Sequence, residues 1–131
     1  MKTNFVIYTD KLDEVRDFWE KYFYNYAFTE MPDGFGVMVF GDAYIIFLDA
    51  AAYGKPVTVH ATMRVRSQQP ELEHGRLDEQ GWEVSEMQDD HWGPAFEDVE
   101  FFSFQDPSGT TFELFADHVG ATKRFTLKRE V

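Results

Sequence analysis

The sequence predicts an α+β fold built from two β-α-β-β-β modules. The chain opens with a strand-like segment and an amphipathic helix, three short strand-like segments follow, and the same order of elements then repeats. At 131 residues, the two modules are expected to form a single domain. Module one spans about 4–49, a linker 50–56, module two about 57–116 and a tail 117–131.

The first helix has the clearest pattern in the chain. Asn4–Thr9 is rich in β-branched and aromatic residues, which favours a strand. Asp10 is expected to cap the helix that follows. Apolar side chains then recur every three or four residues over Lys11–Phe23, so one face of this helix is predicted to be buried. These apolar residues are Val15, Phe18, Trp19, Tyr22 and Phe23.

The remaining elements are shorter and are separated by turn residues such as Gly34 and Gly41. In module one, strands are predicted for Tyr26–Met31, Phe35–Phe40 and Ala43–Leu48. In module two, we predict a strand over Val57–Val65, a helix over Ser67–Gln80, a strand over Trp82–Met87, and a hairpin of Val99–Gln105 with Thr110–Phe115.

Charge is distributed unevenly along the chain. The formal net charge is −12, and residues 77–122 alone hold 12 acidic side chains and no basic one. Nucleic acid is therefore an unsuitable partner, because phosphate binding needs a basic surface. A cationic partner suits this charge, although acidic loops that only keep the protein in solution explain it as well.

The absence of cysteine and the hydropathy pattern exclude several kinds of site and of cellular location. The absence of cysteine excludes disulfides, thiolate metal sites and cysteine nucleophiles. No apolar run has the length of a membrane span, and the N-terminus lacks a signal-peptide pattern. We therefore expect a cytoplasmic protein with no membrane partner.

Three local motifs follow one another along the chain: the Thr9-Asp10 opening with its aromatic helix, the loop His91-Trp92-Gly93-Pro94, and the hairpin from Asp106-Pro107-Ser108-Gly109 to Glu113-Leu114. In this order they resemble the vicinal oxygen chelate superfamily of glyoxalases, extradiol dioxygenases and bleomycin-resistance proteins. The resemblance covers about residues 4–116. It implies a curved mixed sheet with helices on the outer face, and a homodimer.

The resemblance also implies positions for a divalent metal, on the first, fourth, fifth and eighth strands. His60 and Glu113 match the fifth and eighth positions, whereas the first falls on Thr3 or Asn4 and the fourth near Ile46. A divalent metal normally needs three or more protein ligands. We therefore predict no metal, no cofactor and no catalytic residue.

The bleomycin-resistance branch is the better match, and it implies a protein that sequesters a flat cationic antibiotic without chemistry. Trp92 and Phe96 lie in a loop among six carboxylates between Glu86 and Glu100, where aromatic faces and negative potential suit such a ligand. The predicted ligand-binding residues are Phe35, Tyr44, His60, Trp92, Phe96, Phe101 and Glu113.

Two alternatives stay open. One is a metal-dependent glyoxalase- or dioxygenase-type enzyme that uses His60 and Glu113, with Asn4 or a partner-chain residue completing the site. The other is a structural or regulatory module without a small ligand. The last nine residues contain four basic side chains and one acidic one, and we expect this basic tail to pack against acidic surface of the body or of a second copy.

Overall fold

The structure is a computed structural model, and it describes residues 3–39, 43–59, 61–94 and 98–117. Module one forms a four-stranded sheet in the order β1-β4-β3-β2, in which β1 and β4 are parallel and the other pairs antiparallel. Its elements are β1 (Thr3–Thr9), α1 (Leu12–Tyr22), β2 (Ala27–Met31), β3 (Gly34–Met38) and β4 (Ala43–Asp49).

Module two repeats this topology in a second sheet, ordered β5-β8-β7-β6 with β5 and β8 parallel. The short helix α2 (Ala50–Tyr53) lies in the predicted linker between the modules. The predicted α+β fold of two β-α-β-β-β modules is therefore confirmed. The elements of module two are β5 (Thr62–Arg66), α3 (Pro70–Glu79), β6 (Gln88–Asp90), β7 (Val99–Gln105) and β8 (Thr111–Asp117).

One hydrophobic core is shared by both modules, and α1 lies at its centre. The Trp19 ring is fully buried, with its centroid 5.8 Å from the Phe47 ring of β4 and 5.1 Å from the Phe112 ring of β8. The indole Nε1–H of Trp19 also donates to Asp106 Oδ2 in the β7–β8 turn, at 3.0 Å. The predicted buried face of the first helix thus holds the two sheets together.

Each sheet turns one face toward this core, and the opposite face is called here the open face. Side chains alternate between faces along a strand, so the buried Ile45 and Phe47 of β4 place Tyr44 and Ile46 on the open face. In β8, the buried Phe112 and Leu114 likewise place Glu113 and Phe115 on the open face of the second sheet.

The fifth strand begins later than predicted. Thr58 pairs with β1 instead, where its N–H donates to the Tyr8 carbonyl at 2.9 Å and its Oγ1 accepts from the Tyr8 N–H at 3.0 Å. Farther along, the Thr111 N–H of β8 donates to the Ala61 carbonyl at 3.0 Å. The segment predicted as one strand, Val57–Val65, therefore crosses from the edge of the first sheet to the edge of the second.

Two further predictions about element ends were wrong. Helix α1 begins at Leu12 with Lys11 rather than Asp10 at the N-cap position, and no side chain caps it; the Lys11 N–H donates to Thr9 Oγ1 at 3.0 Å. The sixth strand lies at Gln88–Asp90 rather than at Trp82–Met87.

Trp82–Met87 does not form the predicted sixth strand, because Trp82 packs into the core. The Trp82 ring packs 4.6 Å from the Phe18 ring, and its indole donates to the Gln105 carbonyl at 3.0 Å. Val84 makes a single bridge to Phe104. Of the predicted tail, the part after Asp117 lies outside the described residues. Among those residues, no helix is both long enough and apolar enough to cross a membrane.

Candidate functional site

Three aromatic side chains form a cluster on the open face of the second sheet, and we call Trp92, Phe101 and Phe115 the aromatic platform. Phe101 of β7 and Phe115 of β8 are directly paired across the two strands. The Trp92 ring lies against both, with centroids 4.9 Å from Phe101 and 5.2 Å from Phe115. This cluster is separate from the main core, and Trp92 is partly exposed.

The backbone that follows β6 brings Trp92 onto the sheet. Gly93 has φ of 108°, a left-handed conformation that only glycine adopts without strain. The Trp92 indole Nε1–H donates to Asp90 Oδ2 at 3.1 Å, and the other oxygen of Asp90 accepts from the His91 N–H at 2.7 Å. The Asp90 carboxylate therefore fixes the orientation of the indole over the platform.

An arginine and a glutamate adjoin the platform. The parallel register places Arg64 of β5 beside Glu113 of β8, and Arg64 Nε lies 2.9 Å from Glu113 Oε1. The Arg64 guanidinium carbon is also 4.0 Å from the centroid of the Trp92 ring, within the range of a cation–π contact. Glu113 is 21% exposed and Arg64 is 54% exposed, so the glutamate is the fixed member of this pair.

A cleft opens beside the platform, at the gap between the two sheets. Its volume is about 240 Å³, and Arg64, Arg66 and Phe115 line it on the side of module two. Phe5 and Ile45 are among the residues that line it on the side of module one. A cleft of this volume accommodates part of a flat ring system rather than a whole large antibiotic.

Among the described residues, the side chains around Glu113 do not form a site for a divalent metal. No group of three or more His, Cys, Asp or Glu side chains in the described part of the chain lies close enough together to hold a metal ion. Glu113 is paired with the Arg64 guanidinium, whose positive charge opposes that of a metal ion. Asn4 is exposed on β1, and Ile46 offers no ligand atom.

Three of the seven predicted ligand-binding residues lie together, namely Trp92, Phe101 and Glu113. Phe35 lies elsewhere, because it is fully buried in the shared core with its ring 5.2 Å from Phe47. Tyr44 lies on the open face of the first sheet. His60 and Phe96 lie outside the described residues.

The predictions missed three members of the site. Arg64, Phe115 and Asp90 join it through strand register and a loop conformation, and neither is visible in a single sequence. Arg64 lies within the strand predicted over Val57–Val65, where polar and apolar residues alternate and Arg64 is one of the polar ones. No pattern indicated that Glu113 would be its partner, because that pairing depends on how β5 and β8 align.

A second polar cluster lies where the modules meet. Glu73 of α3 is buried, and its carboxylate accepts hydrogen bonds from the Tyr26 hydroxyl at 2.5 Å and from the Ser67 hydroxyl. Burial raises the pKa of Glu73, although these hydrogen bonds act against the shift. Burial, together with the nearby Glu73, also raises the pKa of Tyr26. The cluster borders a separate cleft of about 370 Å³.

The acidic segment serves more than one purpose in the structure. Asp106 is buried and accepts from the Trp19 indole and from the Ser108 N–H, both at 3.0 Å. Burial raises the pKa of this carboxyl, and the hydrogen bonds oppose the shift. Asp90, by contrast, is exposed on β6 beside the platform, whereas Asp89 pairs with Glu100 on the opposite face of the sheet. Part of the negative charge therefore stabilises the fold, and part lies at the candidate site.

Comparison with solved structures identifies proteins of similar fold. The chain superposes on a lactoylglutathione lyase from Agrobacterium tumefaciens with a TM-score of 0.70 and 13% identity, covering 92% of this chain and 96% of that one. A glyoxalase/bleomycin resistance protein/dioxygenase from Nocardioides gives 0.66 at 21% identity, covering 92% and 85% of the two chains.

A virulence protein from Salmonella typhimurium gives a TM-score of 0.69 at 13% identity, covering 88% of this chain and 95% of that one. No family model and no curated protein sequence matches the chain. At these identities the likeness shows the fold, which is that of the glyoxalase/bleomycin resistance/dioxygenase proteins.

Proposed function

We propose that this chain is a non-catalytic member of the vicinal oxygen chelate superfamily that binds and sequesters a flat cationic small molecule on the aromatic platform. One observation supports this above all others. The Arg64 guanidinium, itself a flat cation, lies 4.0 Å from the Trp92 ring centroid and 2.9 Å from the Glu113 carboxylate. The site therefore holds a group of the chemistry that we propose for its ligand.

The charges around the platform support a cationic ligand. Glu113 pairs with the Arg64 guanidinium that lies over the Trp92 ring, and Asp90, exposed on the adjoining strand β6, accepts from the Trp92 indole. Carboxylates so placed raise the local concentration of a cation and its association rate. A flat cation over an exposed indole gains ~0.5–1 kcal/mol from the cation–π contact, and more where water is excluded.

The pairing of Glu113 with Arg64 argues against the alternative hypothesis, a metal-dependent enzyme that uses Glu113 as a ligand. A glutamate that holds a metal needs its charge directed at the metal, whereas here a guanidinium already neutralises it. The metal-dependent enzyme remains an outcome of the test below, because its other expected ligand, His60, lies outside the described residues.

We also propose that two copies associate. Phe5 and Val6 are each 44% exposed on β1, and β1 lies at an edge of the first sheet. Exposed apolar residues at a sheet edge favour self-association. Phe5 also lines the cleft beside the platform, so a second copy would bury surface next to the site. Sedimentation equilibrium tests this, with a dimer expected and a monomer at all concentrations contradicting it.

The test of the ligand compares three kinds of probe by thermal shift and calorimetry. Ethidium and bleomycin supply flat cationic groups, 2-naphthoate is a flat anion, and Mn²⁺, Ni²⁺ and Zn²⁺ are added with and without chelator. We expect the two cations to raise the Tm, less so at high salt, with no gain from the anion or the metals.

Matched tryptophan variants locate the binding. Trp92→Leu is expected to weaken ethidium binding about five- to thirty-fold, because stacking contributes ~1–2 kcal/mol. Trp82→Leu is the control, since Trp82 is also partly exposed but packs on Phe18, away from the platform. A Tm gain from a metal that His60→Ala abolishes would favour the enzyme. No gain from any probe would favour a structural module.

A further inference from the structure

Among the described residues, the Arg64 side chain interacts with Trp92 and Glu113, and these are the residues to which the proposed ligand binds. The Arg64 guanidinium covers the Trp92 ring at 4.0 Å and pairs with Glu113 at 2.9 Å. A flat cation that stacks on the same indole face and pairs with the same carboxylate needs the space that this guanidinium fills. Arg64 and such a ligand therefore cannot occupy the site together.

We infer that Arg64 is an internal occupant of the cation site, which a flat delocalised cation such as an amidinium, guanidinium or heteroaromatic cation displaces on binding. This inference rests on the proposed function, because it concerns how the same site is regulated and which ligand it selects. The contact makes the site self-inhibited until a ligand competes with Arg64.

The exposure of the pair fits an occupant that can leave. Arg64 is 54% exposed, so its long side chain can move into solvent, whereas Glu113 is 21% exposed and stays on the sheet. Exposed ion pairs and exposed cation–π contacts are individually weak. The side chain is held firmly enough to occupy the site but weakly enough for a ligand to displace it.

The geometry also selects the shape of the ligand. A guanidinium is planar and delocalised, so it lies flat on an indole while its edge N–H groups reach a carboxylate. The Trp92 ring and Glu113 are arranged for those two requirements at once. A compact ammonium that carries no flat group meets the charge requirement but not the stacking requirement, and it is expected to displace Arg64 poorly.

Two arginines on the same strand allow a controlled experiment. Arg66 follows Arg64 by two residues on β5, so it lies on the same face and its removal changes the net charge equally. Its guanidinium lies over the Phe115 ring at 5.2 Å, whereas Arg64 lies over Trp92. Arg66→Gln removes the same charge and the contact with Phe115 but leaves Arg64 on Trp92 and Glu113, so the two variants separate displacement at Trp92 and Glu113 from the loss of a positive charge near the platform.

The experiment measures the Kd for ethidium and for benzamidine by calorimetry in the wild-type chain and in both variants, at low and high salt. Arg64→Gln is expected to bind about three- to thirty-fold more tightly than wild type, a range set by one exposed ion pair and one exposed cation–π contact. Arg66→Gln is expected to gain less than about threefold, and high salt is expected to remove that gain.

The outcomes separate the two proposals. Equal or weaker binding by Arg64→Gln, with the wild type binding normally, overturns the displacement while leaving the binding function intact. An equal gain in both variants that vanishes with salt also overturns it. If Arg64→Gln binds the probes and the wild type does not, both proposals are supported. If neither the wild type nor Arg64→Gln binds them, the proposed function is overturned. Circular dichroism melts of the free chains show whether each variant is folded.

Discussion

The two modules have the same topology but differ on their open faces. The register pairs Val6 with Ile46 in the first sheet and Arg64 with Glu113 in the second, and these pairs occupy equivalent positions on the parallel strands. An apolar pair in one module thus replaces an ion pair in the other. The repeated fold supplies two open faces, and only the second has charged groups at this position.

The next pair along the strands differs for a steric reason. Phe101 and Phe115 are paired in the second sheet, where the first sheet pairs Gly34 with Leu48. A Cβ atom on Gly34 would lie 2.4 Å from the Phe47 carbonyl oxygen and 2.6 Å from Leu48 Cδ2. Module one therefore has no space for an aromatic platform at the equivalent place.

The largest effect on stability is expected in the hydrophobic core, which is the part of the molecule that both modules share. Asp106→Ala leaves the buried Trp19 indole and the Ser108 N–H without their acceptor, and we expect a loss of ~2–4 kcal/mol in the free energy of unfolding. Urea denaturation followed by fluorescence and by circular dichroism measures it. Both probes should report one transition, and separate transitions would contradict a common core.

The steric difference between the open faces is tested at two glycines of β3. Gly34→Ala is expected to cost ~1–3 kcal/mol of stability, since its Cβ meets backbone that cannot move aside. Gly36→Ala is the control, because its Cβ would meet side-chain atoms at 3.4 Å or more. Urea denaturation gives the free energy of unfolding of both variants, and equal values for the two would contradict this explanation.

The core and the order of elements were predictable because they depend on local patterns. The helix stripe identified Val15, Phe18 and Trp19 as buried, and the turn residues of the last hairpin gave Val99–Gln105 its observed bounds. The error at Val57–Val65 has a physical cause. A strand pattern shows that a segment pairs, but not with which strand, and here Thr58 pairs with β1.

The candidate site was predictable only in part, for the same reason. Trp92 and Glu113 were identified from loop and strand motifs, whereas the role of Arg64 depends on the register of β5 against β8. Phe35 was predicted to bind the ligand, but the pattern of a single strand does not reveal which of its faces meets the helices. The structure buries Phe35 in the core.

The junction between the modules is expected to respond to pH. Burial raises the pKa of Glu73 above its ordinary 4.5, so the folded state holds this proton more tightly than the unfolded state does. The resulting stability is present below pH 4.5 and is lost as the pH rises through the raised folded pKa.

The measurement is the free energy of unfolding of Glu73→Gln relative to wild type, across that pH range. The difference should shift in favour of the variant as the pH rises, because glutamine keeps a hydrogen-bonding group and cannot ionise. Glu71→Gln, on the exposed side of the same helix, controls for the lost charge. A shift in the opposite direction would contradict the assignment of burial as the dominant cause.

The smallest effect is expected from exchanging the open-face pairs. Val6→Arg with Ile46→Glu places an ion pair on the first sheet, and its contribution to stability should be within ~1 kcal/mol, because Val6 is 44% exposed. This double variant should not acquire a second ethidium site, since Gly34 leaves no room for a platform beside it. Calorimetry gives the stoichiometry, and two bound ethidium molecules per chain would show that the ion pair alone suffices.

The most direct test of the platform is the indole N–H region of a ¹H–¹⁵N NMR spectrum. The three tryptophans give separate signals in three environments, since Trp19 is fully buried, Trp82 packs on Phe18 and Trp92 lies on the platform. Trp92→Phe assigns the Trp92 signal. On titration with ethidium, the Trp92 signal should shift while the Trp19 signal stays in place. Saturable binding that leaves the Trp92 signal unmoved would contradict the platform as the binding site.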